Sequence, residues 1–273
     1  YRFVVDSGAD TSVIGTRAAR ALQLPPGTPV LLNGMTDSSR VERVLVDELE
    51  LGQGRFYDLE LPVLKDRDLG GEGMIGIDAL VRQRLMLDFE KRVITVEDAN
   101  RRAPRLDGEI VVSARRRRGQ LILTAVTANR QTIDAVVDTG SEITIGNLAL
   151  RDRLLRKHTE FTTIAVTGVT GVTLDLQIAR IAEIRLGSVI LHDVPIAFAE
   201  VPPFAVFGLI DEPALLLGTD LMATFRRVSL DFKARKVRFQ LRRCAATGIV
   251  LSTSTSAPSR LSVARGGQEA CRR

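Results

Sequence analysis

The chain has no tryptophan, two cysteines, two histidines and only 4% aromatic residues in 273. Each shortage removes a class of function. Cys244 and Cys271 fall in the C-terminal tail, and His158 and His192 are remote from them and from each other, so no zinc- or haem-binding spacing exists and no metal or other cofactor is expected. The scarcity of aromatics leaves little to stack on bases. No apolar run reaches the ~18 residues of a bilayer span, so no transmembrane segment is expected. The first residue is Tyr1 rather than Met, so any export signal, and with it a periplasmic or membrane-associated location, would lie upstream. The compartment itself is unknown from the sequence.

Charge is present but segregated. The net charge is +5, yet residues 101–118 carry a net +5 and so do residues from Arg242 to the end, which leaves the rest at −5. Two mildly acidic lobes with a basic connection and a basic tail lack the continuous basic face of a nucleic-acid reader, and no nucleic-acid partner is expected. Arg115 to Arg118 reads as a solvated run between the lobes. The tail over 242–273, with its polar stretch Ser252 to Ser256, reads as disordered.

The dominant feature is an internal repeat. Phe3-Val4-Val5-Asp6-Ser7-Gly8 is matched 132 residues later by Ala135-Val136-Val137-Asp138-Thr139-Gly140. Gly34 matches Gly168, Leu51-Gly52 matches Leu186-Gly187, and Ile75-Gly76-Ile77-Asp78 matches Leu217-Gly218-Thr219-Asp220. Leu87-Asp88-Phe89 matches Leu230-Asp231-Phe232. The offset creeps upward to 143, as loop insertions would make it. The repeats place one lobe at 1–97, a linker at 98–108 and a second lobe at 109–241. Short Val, Ile and Leu runs bounded by Gly, Asn and Asp predict a mainly β fold. Leu121 to Asp138 predicts a hairpin around Asn129-Arg130, whose first strand the first copy lacks before Tyr1. Helices are predicted at Arg17 to Leu22, stopped by Pro25-Pro26, at Leu148 to Arg156, and after Asp78 and Asp220.

One Asp-Ser-Gly or Asp-Thr-Gly is ordinary turn chemistry. Two, each closing an apolar strand at matched places in duplicated lobes, are not required by turns. The Gly two residues on lets the backbone turn tightly, so that Asp6 and Asp138 meet across a pseudo-twofold axis. Two carboxylates at ~3 Å cannot both ionise readily, so one becomes a base while the other keeps its proton. That pair can activate a water against a peptide carbonyl without a cofactor.

These motifs resemble the retropepsin-like aspartic proteases, in a form with two β-barrel lobes in one chain, as in bacterial members. The resemblance implies an aspartic endopeptidase acting on peptide or unfolded protein, functional as a single-chain pseudo-dimer. It implies Asp6 and Asp138 as the catalytic dyad, and Ser7, Gly8, Thr139 and Gly140 as its support. It implies Gly-containing flaps at Asn33 to Ser39 and Thr167 to Thr173, placing Gly34, Met35, Thr36, Gly168 and Val169 over the substrate. Ile75-Gly76 and Leu217-Gly218 would pack behind the catalytic loops. Asp10 and Glu142 would line the cleft. Neither flap contains a Tyr, and the lobes are short for a pepsin-type enzyme. The rival reading is the same fold as a non-catalytic peptide-binding or dimerisation module. Asp78 and Asp220 read as helix N-caps, and Asp88 and Asp231, by strand alternation, as solvent-facing.

Overall fold

The computed structural model describes residues 1–242 apart from 35, 53, 105–107 and 157, together with the backbone of 251–253 and 261–263. Met35, Asp107, Cys244 and Cys271 therefore lie outside the described residues.

In the first repeat the elements are β1 (Phe3–Val5), β2 (Val13–Gly15), α1 (Thr16–Ala21), β3 (Val30–Asn33), β4 (Ser38–Val41), β5 (Arg43–Leu51), β6 (Gly54–Leu64), α2 (Asp66–Leu69), β7 (Gly73–Ile75), α3 (Ile77–Leu80), β8 (Gln83–Asp88) and β9 (Val93–Asp98). The second begins with β10 (Glu109–Arg117), β11 (Gln120–Ala128), β12 (Gln131–Val137) and β13 (Ile145–Gly146). It continues with α4 (Leu148–Leu154), β14 (Thr162–Thr167), β15 (Thr173–Leu186), β16 (Val189–Phe198) and α5 (Pro202–Val206). It closes with β17 (Ala214–Leu217), α6 (Thr219–Met222), β18 (Arg227–Asp231) and β19 (Lys236–Gln240). The fold is mainly β.

The repeat in sequence is a repeat in topology. Strand order β1-β7-β2-β6-β5 in the first half is reproduced as β12-β17-β13-β16-β15 in the second. In each, the strand that ends in the Asp triplet lies parallel to the strand that ends in the apolar-apolar-Gly motif, Val5 beside Ile75 and Val137 beside Leu217. Val, Ile and Leu suit these positions because their stiff branched side chains fill a pleated surface covered on both faces. Ala135, Val136, Leu215 and Leu217 are all fully buried. The hairpin around Asn129-Arg130 forms as predicted, both residues taking positive φ (45° and 69°), the geometry that matches strand twist in a two-residue turn. Its first strand, β11, also pairs with β15, whereas β1 is an edge strand of its five-stranded sheet.

The halves are joined by backbone hydrogen bonds. β8 pairs antiparallel with β18, so β8 and β9 extend the second repeat's sheet to 12 strands. The offset of 143 relates Arg84 to Arg227 and Asp88 to Asp231, and the pairing is symmetric in them: Asp88 lies opposite Arg227 as Arg84 lies opposite Asp231, so the pseudo-twofold axis passes between Met86 and Ser229. One hydrophobic core runs beneath, taking Ile75, Leu80 and Leu85 from one half and Val137, Leu217 and Phe232 from the other.

Three expectations change. Asp88 and Asp231 are buried, at 8% and 4% exposure, rather than solvent-facing. Alternation assumes one wet face, but these residues sit at strand ends where the two repeats join in a continuous sheet, against arginines of the opposite repeat. Asp88 pairs with Arg227 at 2.6 Å; Asp231 pairs with the fully buried Arg84 at 3.5 Å. Second, Arg115 to Arg117 are not connection but the end of β10, exposed on a strand, with Arg115 paired to Asp134. Third, within the tail, 251–253 and 261–263 form a two-stranded antiparallel ladder, Leu251 opposite Val263; the rest from 243 onward lies outside the described residues.

Candidate active site

Each Asp-Ser/Thr-Gly loop is carried by the same construction. The amide of Asp6 donates to the Ile75 carbonyl at 2.9 Å and that of Asp138 to the Leu217 carbonyl at 3.1 Å, so the parallel pairing runs up to the aspartate and stops there. The chain then folds back, with Asp6 Oδ1 accepting the amides of Gly8 (2.7 Å) and Ala9 (3.1 Å). Asp138 Oδ1 does the same for Gly140 (3.0 Å) and Ser141 (3.2 Å). These bonds fix each carboxylate and leave its other oxygen toward the opposite loop.

The loops lock reciprocally. Thr139 Oγ1 accepts the Ser7 amide at 2.9 Å and donates to the Val5 carbonyl at 2.7 Å; Ser7 Oγ accepts the Thr139 amide at 3.1 Å and donates to the Val137 carbonyl at 2.8 Å. Four bonds between residues 130 or more apart bury both hydroxyls with donors and acceptors satisfied. The two glycines have a steric reason. A Cβ on Gly8 would stand 2.6 Å from the Asp138 carboxyl carbon, and one on Gly140 2.2 Å from that of Asp6. Only a residue without a side chain lets each loop carry its neighbour's carboxylate.

Both carboxyls are raised. Burial lifts Asp6, held back by the Gly8 amide and its other donors. Burial, and then the facing charge of Asp6, raise Asp138 well above the ordinary carboxylate value. Two facing carboxyls, both raised, favour sharing a single proton over ionising together.

Behind the loops a second matched set was missed from the sequence. Ser12 and Thr144 each donate a hydroxyl to Asp78 (2.7 Å) and Asp220 (2.6 Å), and accept the amides of Gly76 (3.0 Å) and Gly218 (3.1 Å). Asp78 and Asp220 lie inside the first turn of α3 and α6, whose N-cap positions are Gly76 and Gly218, so they brace the loops rather than cap. The signal was present: hydroxyl matches hydroxyl at an offset of 132, and Asp matches Asp at 142. Gly76 and Gly218 touch the backbone of Thr11 and Ile143 so closely that a Cβ would overlap it, at 2.6 and 2.4 Å. Gln120, fully buried at the start of β11, reaches from the second repeat to Asp10 Oδ1 (2.5 Å). No local pattern announces that contact.

A cleft of about 1110 Å³ lies over the dyad, lined by Asp6, Asp138, Asp10, Glu142 and the two glycine-containing hairpins. The hairpins β3–β4 and β14–β15 meet above it: Thr170 Oγ1 donates to Asp37, and a Cβ on Gly168 would be 2.4 Å from Thr36 Oγ1. Gly34 packs on the Thr170 methyl, and Val169 packs into the first repeat's cluster of Val13, Leu69 and Met74. The structure thus places the described members of the expected dyad, its supports and the two hairpins around one cleft. Among the described residues no helix is long and apolar enough to cross a membrane, and no group of three or more His, Cys, Asp or Glu is placed to hold a metal ion.

Comparison with known proteins yields a partial structural match and a family. A retropepsin-like aspartic protease from Rickettsia conorii is 18% identical, over 49% of this chain and 91% of its own, with a TM-score of 0.37. No curated protein matches. A family model described as aspartyl protease matches residues 1–79 and 124–221, one segment around each member of the Asp6–Asp138 pair. Spanning both repeats and well over half of the sequence, that match places the chain in the aspartyl protease family.

Proposed function

We propose that the chain is an endopeptidase in which Asp6 and Asp138 of one molecule form the catalytic dyad. The observation that carries this reading is the reciprocal seating of the two loops, which leaves two buried carboxyls facing one another under a cleft open to an extended peptide. Asp6, ionised, takes a proton from a water between the carboxyls as its oxygen attacks the peptide carbonyl carbon. Asp138 gives its proton to the carbonyl oxygen, producing a neutral gem-diol. Asp6 then passes its acquired proton to the leaving nitrogen as the C–N bond breaks, and the collapsing diol returns a proton to Asp138. Backbone groups of the catalytic loops and hairpins hold the substrate as an added strand, which favours unfolded segments.

The test is cleavage of a diverse unstructured peptide library by the purified chain, beside Asp6→Asn and Asp138→Asn. Either substitution should lower kcat/KM by on the order of 10³-fold or more. Because both carboxyls are raised, the acid limb of the pH profile should lie above the ordinary Asp value of 3.8. A folded parent that binds peptides but cleaves none at any pH would leave the binding-module reading in its place.

A further inference from the structure

The two walls of the cleft are built by matched elements of unmatched chemistry. α2 and α5 each lie just before the strand that ends in the apolar-apolar-Gly motif, and each faces the cleft on its own side of the dyad. α5 and the residue after it present Pro203, Val206 and Phe207. α2 presents Arg67 and Asp68 ahead of Leu69. The Asp68 side chain is only 11% exposed, and its carboxylate lies under the tip of the opposite hairpin, where a Cβ on Gly171 would be 3.2 Å away. Its neighbour Arg67 is 3.6 Å off and 75% exposed, so the cation lies at the solvent-facing rim of the cleft and the anion deeper in it. Asp10, held in place by Gln120, is a further carboxylate lining the cleft. Glu142 occupies the matched position in the second repeat, but nothing on α5 matches Asp68.

We propose that the cleft is directional, accepting a large apolar side chain against α5 on one side of the scissile bond and a basic side chain against Asp68 on the other. This rests on the proteolytic reading above and names its substrate class. A peptide lying as a strand across a twofold dyad presents its two flanks to different walls. A wall of Pro, Val and Phe favours Leu or Phe over Ala by about tenfold or more. A largely desolvated carboxylate rewards Lys or Arg and rejects Asp or Glu.

The experiment is a peptide library randomised on both sides of the bond, read by mass spectrometry as relative kcat/KM, with Asp68→Asn and the near-isosteric Val206→Thr. The parent should select basic residues on one flank and large apolar residues on the other. Asp68→Asn should reduce the basic preference about tenfold and leave the apolar one. Val206→Thr should do the reverse. Thermal midpoints within about 3 °C of the parent ensure that neither result reflects unfolding. The same preferences on both flanks, or an Asp68→Asn change that alters both alike, would overturn the directional cleft while leaving the protease intact. Absence of cleavage by a folded parent would overturn the proteolytic reading, and the inference with it.

Discussion

At the residue scale the dyad is a site assembled against stability. Burial raises both carboxyls, and a group whose pKa is raised on folding contributes stability that is complete below its ordinary value and lost as pH rises through the folded value. Asp138→Asn should therefore raise the thermal midpoint at pH 7 by a few degrees, with the gain shrinking toward pH 3, measurable by calorimetry. The opposite holds for Asp88, lowered despite its burial by the Lys91 amide and Arg227; its contribution is present above about pH 4 and lost on acidification. Thr139→Ala leaves the Ser7 amide and Val5 carbonyl without their partner and should cost about 1–3 kcal/mol by denaturant titration. Thr139→Ser, which keeps the hydroxyl, should restore most of it. Gly140→Ala drives a methyl into Asp6 and should abolish cleavage with a smaller loss of stability.

At the element scale the junction of β8 with β18 holds the repeats in register. Arg84 is 2% exposed and is satisfied by Glu97, Asp231 and the Arg101 carbonyl, the last tying the connecting stretch to the sheet. Removing one charge from such a set strands the others, so Arg84→Met should destabilise by about 3–5 kcal/mol, whereas replacing Arg84 and Asp231 together with apolar residues should cost much less. Much of this architecture was legible in the sequence because every catalytic element is written twice, and matched residues report matched places. The Asn129-Arg130 hairpin and the strand-ending triplets were read from local chemistry. What escaped was non-local: Gln120 meets Asp10 across 110 residues, and Asp88 meets Arg227 across 139. No alternation rule contains the neighbour that buries them. α2 and α5 escaped for another reason, being short and sharing no residues despite sharing a position.

At the scale of the whole molecule, both carboxylates of the dyad come from one chain, and the shared 12-stranded sheet leaves β8 and β18 already paired. Activity should therefore be linear in enzyme concentration through the nanomolar range, with a monomer by solution scattering; a quadratic dependence would mean that the working dyad forms between chains. The hairpin contact from Thr170 to Asp37 spans the cleft entrance. Thr170→Val, which cannot donate, should ease opening and raise KM more than it changes kcat.

The β8–β18 junction also bears on how the protein is made. The ribosome releases β8 roughly ten seconds before β18, at usual elongation rates of about 5–20 residues per second. Through that interval β8 is paired on one edge only, with β9, and its other edge waits for β18. On the proteolytic reading proposed above, the order of synthesis is also a safeguard, because until Asp138 and the β17 strand that seats it are made the nascent chain carries a single carboxylate and no paired site.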